Sequence, residues 1–370
     1  MTRVISADCH VNEPPWVFDR VPIEYRDQVP KMLRAPDGGD GWSFDGGLPK
    51  RSLGVEAMAG RAKHEYQKSG LKFEEILPGN YDGEAHLKDM DIDGIDVSVV
   101  YPAQAIFIYM SDDRGLALAC MRAYNDWIIE DFQGVNAKRI VGLPMLPVDD
   151  GMDNAVGELE RMVARGAKAA FIPGMPRRPY HADYYEPLWS AAETLDVALT
   201  FHRTFGGKPP DEDFDELVRQ DFSAAGTVNR FFSGVRPLTY MIFNGVFERH
   251  PTLRLVGAEL NCGWIPFWAQ TMDQQFENQV AMQDLPFATA PSEYLGRNVF
   301  VTILDDDIGF ALMAAGSPRL SECSLFSTDY PHSVTLWPNS ASFIERLTKR
   351  MNDSDRDKVL FGNAARVFQG

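Results

Sequence analysis

The chain has 370 residues, 45% of them hydrophobic and 24% charged, which is typical of a globular protein with a buried core and excludes a disordered chain. A formal net charge of -17 at pH 7 disfavours a nucleic-acid partner, since binding to phosphate depends on clustered lysine and arginine. No apolar run reaches the roughly 18 residues that span a bilayer, and no signal-peptide core is found at the start, so we expect a cytoplasmic protein without a membrane partner.

Short runs rich in β-branched and apolar residues recur along the chain and predict eight strands. In chain order these are 4–7, 97–101, 139–146, 167–172, 197–202, 253–259, 299–304 and 324–328. Helical periodicity fills most of the gaps, at 114–132, 152–165, 184–195, 340–351 and 355–368. Nearly continuous apolar strands that alternate with helices indicate a parallel sheet covered on both faces. We therefore predict an α/β fold, a (β/α)8 TIM barrel formed by a single domain over residues 1–370.

Two connections are too long for plain crossovers and are interpreted as insertions, at about 14–95 after the first predicted strand and 204–240 after the fifth. The first is rich in Pro, Gly and charged residues and includes a helix-like stretch near 56–67. Long loops in compact domains are usually lids or binding elements. A lid role is our interpretation of both, with oligomer contacts or decoration as the alternative.

Polar signatures follow three of the apolar runs. Asp8 and His10 alternate with Cys9, so both point to one face of the first strand. His202 ends the fifth run, and Asp329 follows the eighth. Taken alone, each has a structural explanation, as a hydrogen-bonded core histidine or as a turn-capping aspartate. Because the carboxyl ends of parallel strands meet at one face of a barrel, their shared position predicts a site for a divalent metal ion.

These and other motifs resemble the amidohydrolase superfamily, in the branch typified by aminocarboxymuconate-semialdehyde decarboxylase and γ-resorcylate decarboxylase. The resemblance covers nearly the whole chain, with D-C-H in place of the branch's H-x-H or E-x-H on the first strand. The segments that carry it are Asp8-Cys9-His10, Ala123-Tyr124-Asn125-Asp126-Trp127, His202, residues 247–254, Ser327-Thr328-Asp329-Tyr330-Pro331-His332 and residues 362–368.

The resemblance implies that Asp8, His10, His202 and Asp329 bind one divalent metal ion. Zinc is the first expectation and manganese the alternative, because oxygen ligands with two imidazoles suit both as well as iron. The resemblance also implies a homodimer, to whose contact the segment 204–240 would contribute.

The chain departs from the branch at the end of the sixth predicted strand, where relatives commonly carry a histidine that handles protons and this chain has Glu259. Three roles stay open for Glu259. It can act as an acid or base if Trp264 and Phe267 form an apolar pocket that raises its pKa. It can be an additional metal ligand or the partner of a ligating histidine. It can also form a purely structural salt bridge.

Two further residues lie near the predicted site in the sequence. His332, three residues after Asp329, is the best remaining imidazole for proton transfer or substrate orientation, with a loop hydrogen bond as the alternative. Glu13 is expected to be a solvated loop glutamate, with positioning of the first-strand ligands or lining of the pocket as the alternative. The histidines away from strand ends are excluded from the site: His64, His86, His181 and His250.

Cationic residues near the same strand ends are candidates for binding a small-molecule carboxylate, because arginine can hold a carboxylate through two parallel hydrogen bonds. Trp264 is a candidate apolar wall of the same pocket. The alternatives are ordinary surface salt bridges for each arginine and core packing for the tryptophan. The arginines are Arg203 and Arg178, followed by Arg177, Arg230 and Arg236.

The resemblance and the predicted site together favour a metal-dependent enzyme that decarboxylates a carboxylated aromatic or ring-cleavage product without oxidation. Glu259 or His332 would donate the proton to carbon as CO₂ leaves. The alternative is a hydrolase of an ester, lactone or amide that uses a metal-bound hydroxide, with Asp329 as the base. A second alternative is a catalytically inactive metal-binding scaffold. Serine hydrolases and nucleotide-dependent enzymes are disfavoured, since the chain has no G-x-S-x-G elbow and no phosphate-binding glycine motif.

Overall fold

The computed structural model describes residues 3–203, 223–280 and 282–369. Eight of the strands in these ranges coincide with the predicted runs, and two more form a hairpin that the sequence pattern does not predict. The strands are β1 (Ile5–His10), β2 (Lys31–Arg34), β3 (Asp40–Ser43), β4 (Val97–Tyr101), β5 (Ile140–Gly142), β6 (Ala169–Phe171), β7 (Ala198–His202), β8 (Leu255–Ala258), β9 (Val299–Ile303) and β10 (Ser324–Phe326).

The eight predicted strands pair in parallel, which confirms the α/β fold. One sheet has the order β1-β4-β5 and the other β10-β9-β8-β7-β6. A parallel bridge between Met145 and Phe171 connects the two sheets on one side. On the other side, the backbone N–H of Asp329 donates to the carbonyl of Asp8 at 3.0 Å, and that of His10 donates to the carbonyl of Tyr330 at 2.7 Å. These contacts link the two sheets on both sides.

Helices occupy most connections between the parallel strands. The predicted helices agree with the structure to within three residues at each end, and those at 114–132 and 355–368 include π-helical turns at Trp127–Phe132 and Lys358–Gly362. The α-helices of the described ranges are α1 (Gly83–Asp93), α2 (Arg114–Asp126), α3 (Met152–Ala164), α4 (Glu186–Thr194), α5 (Ala224–Arg230), α6 (Val235–Phe243), α7 (Val246–Arg249), α8 (Ile265–Val280), α9 (Asp307–Ala314), α10 (Leu320–Cys323), α11 (Ser340–Thr348), α12 (Asp353–Asp357) and α13 (Asn363–Phe368).

The long connection between β1 and β4 contains the antiparallel β2–β3 hairpin, short 3-10 turns and α1. The helix predicted near 56–67 is wrong. Its place is taken by 3-10 turns at Val55–Ala57 and Lys63–Glu65, separated by Gly60, whose φ of 82° interrupts helical backbone. Of the second long connection, residues 204–222 lie outside the described ranges, and residues 223–240 contain α5 and the start of α6.

The eight parallel strands are buried on both faces, as expected for a parallel sheet under helices. Every residue of β1, β4, β7 and β9 is buried, and one apolar cluster extends from the sheets into the surrounding helices. A second, small apolar cluster lies within the first long connection. Among the described residues, none of the helices combines the length and the apolar character needed to cross a bilayer.

Candidate metal centre

Three side chains with metal-ligating atoms meet where β1 and β7 end. Asp8 and His10 lie on the same face of β1 because strand residues alternate, and His202 is the last residue of β7. His10 Nε2 lies 3.3 Å from Asp8 Oδ1, and His202 Nε2 lies 3.9 Å from the same oxygen. One ligand atom from each residue falls within 4.8 Å of the others. The structure therefore brings together three of the four predicted ligands in one group.

The fourth predicted ligand, Asp329, joins this group through His10. Asp329 follows β10 with a φ of 51°, a strained conformation for a residue with a side chain. Its Oδ1 lies 3.3 Å from His10 Nε2 and 2.9 Å from His332 Nδ1. The His332 ring also stacks on the His10 ring, with 3.9 Å between centroids. Asp329, His10 and His332 thus form a second group of three ligating atoms that shares His10 with the first.

Several polar atoms of this cluster are buried and have no hydrogen-bond partner within the described ranges. They are Asp8 Oδ1, His10 Nε2 and both carboxylate oxygens of Asp329. Buried charged groups are costly unless they are paired or bind a metal. Converging open carboxylate and imidazole atoms are the donor set that zinc, manganese and iron accept, so the residues present fit a divalent ion.

The pKa shifts of these groups show that they interact with one another. Burial raises the pKa of Asp8, and His10 opposes this shift. Burial alone would lower the pKa of His10, but the carboxylates of Asp329 and Asp8 outweigh it and raise that pKa to about 10. Burial lowers the pKa of His202, and the charges of His10 and Arg203 add to this shift. A metal ion competes with a proton at His10, while the neutral His202 is already in its ligating form.

Asp329 is held ionised by its neighbours. Burial raises the pKa of a carboxyl group, but His332 and His10 outweigh burial and keep the pKa of Asp329 below its usual range. The carboxylate is fully buried, and the His332 side chain is 20% exposed. His332 therefore lies at the solvent side of the cluster, in contact with both Asp329 and His10.

Glu259 lies between His202 and Arg203. It follows β8 with a φ of 55°, and its Oε2 is 3.4 Å from His202 Nε2, while Oε1 accepts a hydrogen bond from Arg203 Nη2. Burial raises the pKa of Glu259, and Arg203 opposes the shift. The prediction that Phe267 forms an apolar wall beside Glu259 is wrong, since the Phe267 side chain is 77% exposed. The Phe231 ring instead lies against Arg203, with its centroid 4.2 Å from the guanidinium carbon.

Two buried polar residues of the site are not predicted by the sequence pattern. Thr302 donates to Asp8 Oδ2 at 3.0 Å, and it is the only hydroxyl residue in the apolar strand β9, which is the signal that could have identified it. Glu13 was expected in solvent, but it is 1% exposed and accepts the backbone N–H groups of Ala103 and Gln104. Both side chains lie behind the ligands rather than among them.

The other sequence candidates lie elsewhere. Arg178 is exposed with its guanidinium carbon 4.1 Å from the Tyr184 ring centroid. Trp264 donates its indole N–H to the Leu260 carbonyl and packs on Trp268. Within the described ranges, neither makes a hydrogen bond, ion pair or ring contact with the four predicted ligands. The excluded histidines that are buried have structural partners: His86 contacts Gly79 and Ser98, and His250 contacts Glu186 and Glu193.

Comparison with known proteins identifies both a family and similar folds. The family model described as Amidohydrolase matches residues 78–370. An amidohydrolase from Mycobacterium avium subsp. paratuberculosis K-10 has a TM-score of 0.78 at 20% identity, covering 99% of this chain and 97% of its own. The 5-carboxyvanillate decarboxylase LigW from Sphingomonas paucimobilis has a TM-score of 0.70 at 21% identity, covering 100% and 99%.

A third similar structure holds a metal ion. The dihydroxybenzoic acid decarboxylase from Polaromonas sp. JS666, solved with bound manganese and the inhibitor 2-nitroresorcinol, has a TM-score of 0.66 at 18% identity, covering 100% of this chain and 97% of its own. At these identities the likeness concerns the fold.

Proposed function

Because the chain belongs to the amidohydrolase family, whose model matches residues 78–370, we propose that it is a metal-dependent decarboxylase of a carboxylated aromatic or ring-cleavage product. The observation that carries this proposal is the convergence of the buried side chains of Asp8, His10, His202 and Asp329. Two of the similar folds described above belong to decarboxylases of aromatic acids, which supports the choice of reaction.

In this proposal Asp8, His10, His202 and Asp329 hold one divalent ion, with zinc as the first expectation and manganese, present in the Polaromonas structure, as the alternative. Such an ion supplies Lewis acidity that neutralises a substrate carboxylate and a neighbouring oxygen. The protein's own residues bind the substrate, orient it and deliver a proton. Elemental analysis of the purified protein distinguishes zinc from manganese.

Arg203 is the arginine whose position best suits a substrate carboxylate. Its side chain is 8% exposed, it follows His202 directly, and its Nε and Nη1 atoms have no hydrogen-bond partner among the described residues. A buried guanidinium with open N–H groups beside the proposed metal ion attracts an anion. Arg178 and Trp264 stay predictions, as outer contacts of a larger substrate.

Decarboxylation requires a proton at the carbon that loses CO₂, since the electron pair of the broken bond stays on that carbon. Two groups of the site can supply it. Glu259 is buried with a raised pKa, which favours the protonated acid. His332 lies at the solvent side of the cluster and can be reprotonated from water. We propose Glu259 or His332 as the donor, with Arg203 opposing the rise in the pKa of Glu259 and so favouring its ionised form.

The reaction is tested by product analysis with a panel of hydroxybenzoates and unsaturated dicarboxylates. Release of CO₂ and solvent deuterium at the vacated carbon support the proposal. The second candidate is hydrolysis, favoured by the open buried oxygens of the ionised Asp329, which can accept a proton from water. Incorporation of solvent ¹⁸O into a new carboxylate would identify it. Stoichiometric metal without any turnover would identify the inactive scaffold.

Residue roles are tested in the same assay. His202→Ala and Asp329→Ala should lose both bound metal and activity, whereas the control His64→Ala, at an exposed histidine, should retain both. Comparison of Glu259→Gln with His332→Gln identifies the proton donor. The variant that lacks the donor should still bind the metal ion but should no longer incorporate deuterium into the product. Full activity of His202→Ala and Asp329→Ala after metal depletion contradicts the proposal.

We also propose a homodimer, as the resemblance implies. The helices α5 and α6 and the turn between them, at the end of the second long connection, expose the apolar side chains Val228, Phe232 and Tyr240. Light scattering of the full chain checks the mass, and Phe232→Glu should shift a dimer towards monomer.

A further inference from the structure

A buried threonine on β9 connects the ends of β1 and β8. Thr302 is 0% exposed, and its Oγ1 lies 3.0 Å from Asp8 Oδ2. The same Oγ1 lies 2.6 Å from the backbone nitrogen of Glu259. One hydroxyl therefore contacts both a proposed metal ligand and the backbone of a proposed proton donor.

The direction of these two hydrogen bonds is determined by chemistry. A backbone N–H can only donate, so Thr302 Oγ1 accepts from Glu259. The single hydroxyl hydrogen is then directed to Asp8 Oδ2, because an ionised carboxylate can only accept. With Oδ2 engaged, Oδ1 is the oxygen left for a metal ion. It is also the oxygen that lies 3.3 Å from His10 Nε2 and 3.9 Å from His202 Nε2.

The second bond supports the backbone of Glu259. A φ of 55° is unfavourable for a residue with a side chain and persists where the surroundings hold it. In this conformation the buried backbone N–H of Glu259 donates a hydrogen bond to Thr302 Oγ1, so the donor is satisfied. The same backbone conformation directs the Glu259 carboxyl to His202 and Arg203.

We propose that Thr302 is a positioning residue of the metal centre, which fixes Asp8 as a ligand through one oxygen and holds Glu259 against His202. This inference rests on the proposed function, since it concerns the same metal site. Groups that hydrogen-bond to metal ligands orient them, and their loss typically costs about 10- to 100-fold in metal affinity.

The chain offers a matched control in Thr200 on β7. Thr200 is also 0% exposed, and its hydroxyl bonds to the Tyr101 hydroxyl at 2.7 Å and to the Val256 carbonyl at 3.1 Å. These partners are neutral and are not proposed ligands. Thr200→Val therefore removes a buried hydroxyl of a parallel strand without removing a bond to Asp8.

The test measures metal binding to the metal-free full chain. Manganese binding is followed by the electron paramagnetic resonance signal of the ion, and zinc binding by competition with a chromophoric chelator. Thr302→Val should weaken binding about 10- to 100-fold and alter the signal of bound manganese. Thr302→Ser, which keeps the hydroxyl, should bind within about fivefold of wild type, and Thr200→Val should bind like wild type. Should Thr302→Val fail to fold, Thr302→Ala carries the same expectation.

The outcomes separate the inference from the function on which it rests. If the wild type binds no metal ion, the proposed function and this inference both fail. If the wild type binds and Thr302→Val binds equally well, the inference alone is overturned. If Thr302→Ser loses as much metal affinity as Thr302→Val, the effect is one of packing and the inference is overturned. The same holds if Thr200→Val loses as much affinity as Thr302→Val.

Discussion

Glu13 shows how a carboxylate outside the proposed ligand set can position a residue of the candidate metal centre. It accepts N–H groups of Ala103 and Gln104 at 3.0 and 2.8 Å, and thereby holds the turn whose Pro102 carbonyl lies 3.4 Å from His10 Nδ1. Burial raises the pKa of Glu13, and these backbone N–H groups oppose the shift. The other nitrogen of a ligating histidine is commonly held by such an acceptor, which fixes the ring orientation.

Glu13→Gln should destabilise the protein and weaken metal binding together. The amide places a donor where a backbone N–H needs an acceptor, which costs about 1–3 kcal/mol for the buried group left unsatisfied. Urea unfolding measures the loss of stability. Glu65→Gln is the matched control, because Glu65 also accepts a backbone N–H, from Ala62, but in solvent. Equal effects of the two substitutions would contradict the role of burial.

His86 carries a pH dependence of stability that is separate from the metal centre. Burial lowers its pKa from 6.5 to about 4 in the folded protein, opposed by the Gly79 carbonyl. Since the folded pKa is depressed, the unfolded chain takes up the proton first. The stabilising effect of neutral His86 is therefore complete above the unfolded pKa and is lost as the pH falls towards the folded one.

Between pH 7 and pH 5, wild type should lose about 2 kcal/mol more free energy of unfolding than His86→Gln, which cannot titrate. Urea unfolding of both proteins at the two pH values measures the difference. The exposed His64→Gln should keep the wild-type pH dependence. A His86→Gln protein with the wild-type pH dependence would show that this histidine does not titrate as described.

At this scale the sequence predicts the proposed ligands better than the groups behind them. Asp8, His10 and His202 are placed by strand position alone, and they converge as expected. Thr302 and Glu13 are not predictable in this way, because the partners of their side chains come from other strands and turns. The Thr302 contact with Asp8 spans 294 residues of sequence.

At the scale of elements, hydrogen bonds to α1 hold the segment that follows β10 in place. Asp89 of α1 accepts the Tyr330 hydroxyl at 2.5 Å, and Asp93 accepts both the N–H and the hydroxyl of Ser340, at 2.9 and 2.5 Å. The Trp337 indole also donates to the Asp89 carbonyl. The loop that carries Asp329 and His332 is thus held by a helix of the first long connection.

Asp93→Ala should destabilise the protein by about 1–3 kcal/mol, since two buried donors at the start of α11 lose their acceptor. Urea unfolding checks the magnitude, and hydrogen exchange should show faster opening of α11. Asp91→Ala on the same helix is the control, because the Asp91 side chain is 65% exposed and its ion pair with Arg139 should contribute less than about 1 kcal/mol. A smaller loss of stability in Asp93→Ala than in Asp91→Ala would contradict the proposal that Asp93 holds the start of α11 in place.

Elements were predictable where apolar periodicity is strong. The strands are continuous apolar runs, and α2 and α3 have clear apolar faces, whereas α1 has the sequence GEAHLKDMDID with few apolar positions. Its ends are nevertheless encoded, by Asp82, which accepts the Ala85 N–H, and by Gly94 with a φ of 74°. The helix predicted near 56–67 failed for the opposite reason, because helix-forming residues surround the glycine that interrupts them.

At the scale of the whole molecule, the proposed ion would connect the two ends of the chain. Asp8 and His10 belong to the first strand, and Asp329 belongs to the segment after the last strand, which hydrogen-bonds to β1 through its backbone. His202, at the end of β7, would connect the middle of the chain to the same ion. A ligand that binds only where these segments meet binds the folded state and not the unfolded one, so it must stabilise the whole fold.

Saturation of the metal-free protein with zinc or manganese should therefore raise its stability, by about 2.7 kcal/mol at a free ion concentration of 100 Kd. For a chain of this length that free energy corresponds to an increase in Tm of about 3.5 °C. Scanning calorimetry measures the shift, and a chelator should reverse it. His202→Ala and Asp329→Ala should abolish the increase while His64→Ala keeps it, because only the first two remove proposed ligands. An increase that survives in Asp329→Ala would mean that Asp329 is not needed to hold the ion, and the link between the first and last strands would then lose its support.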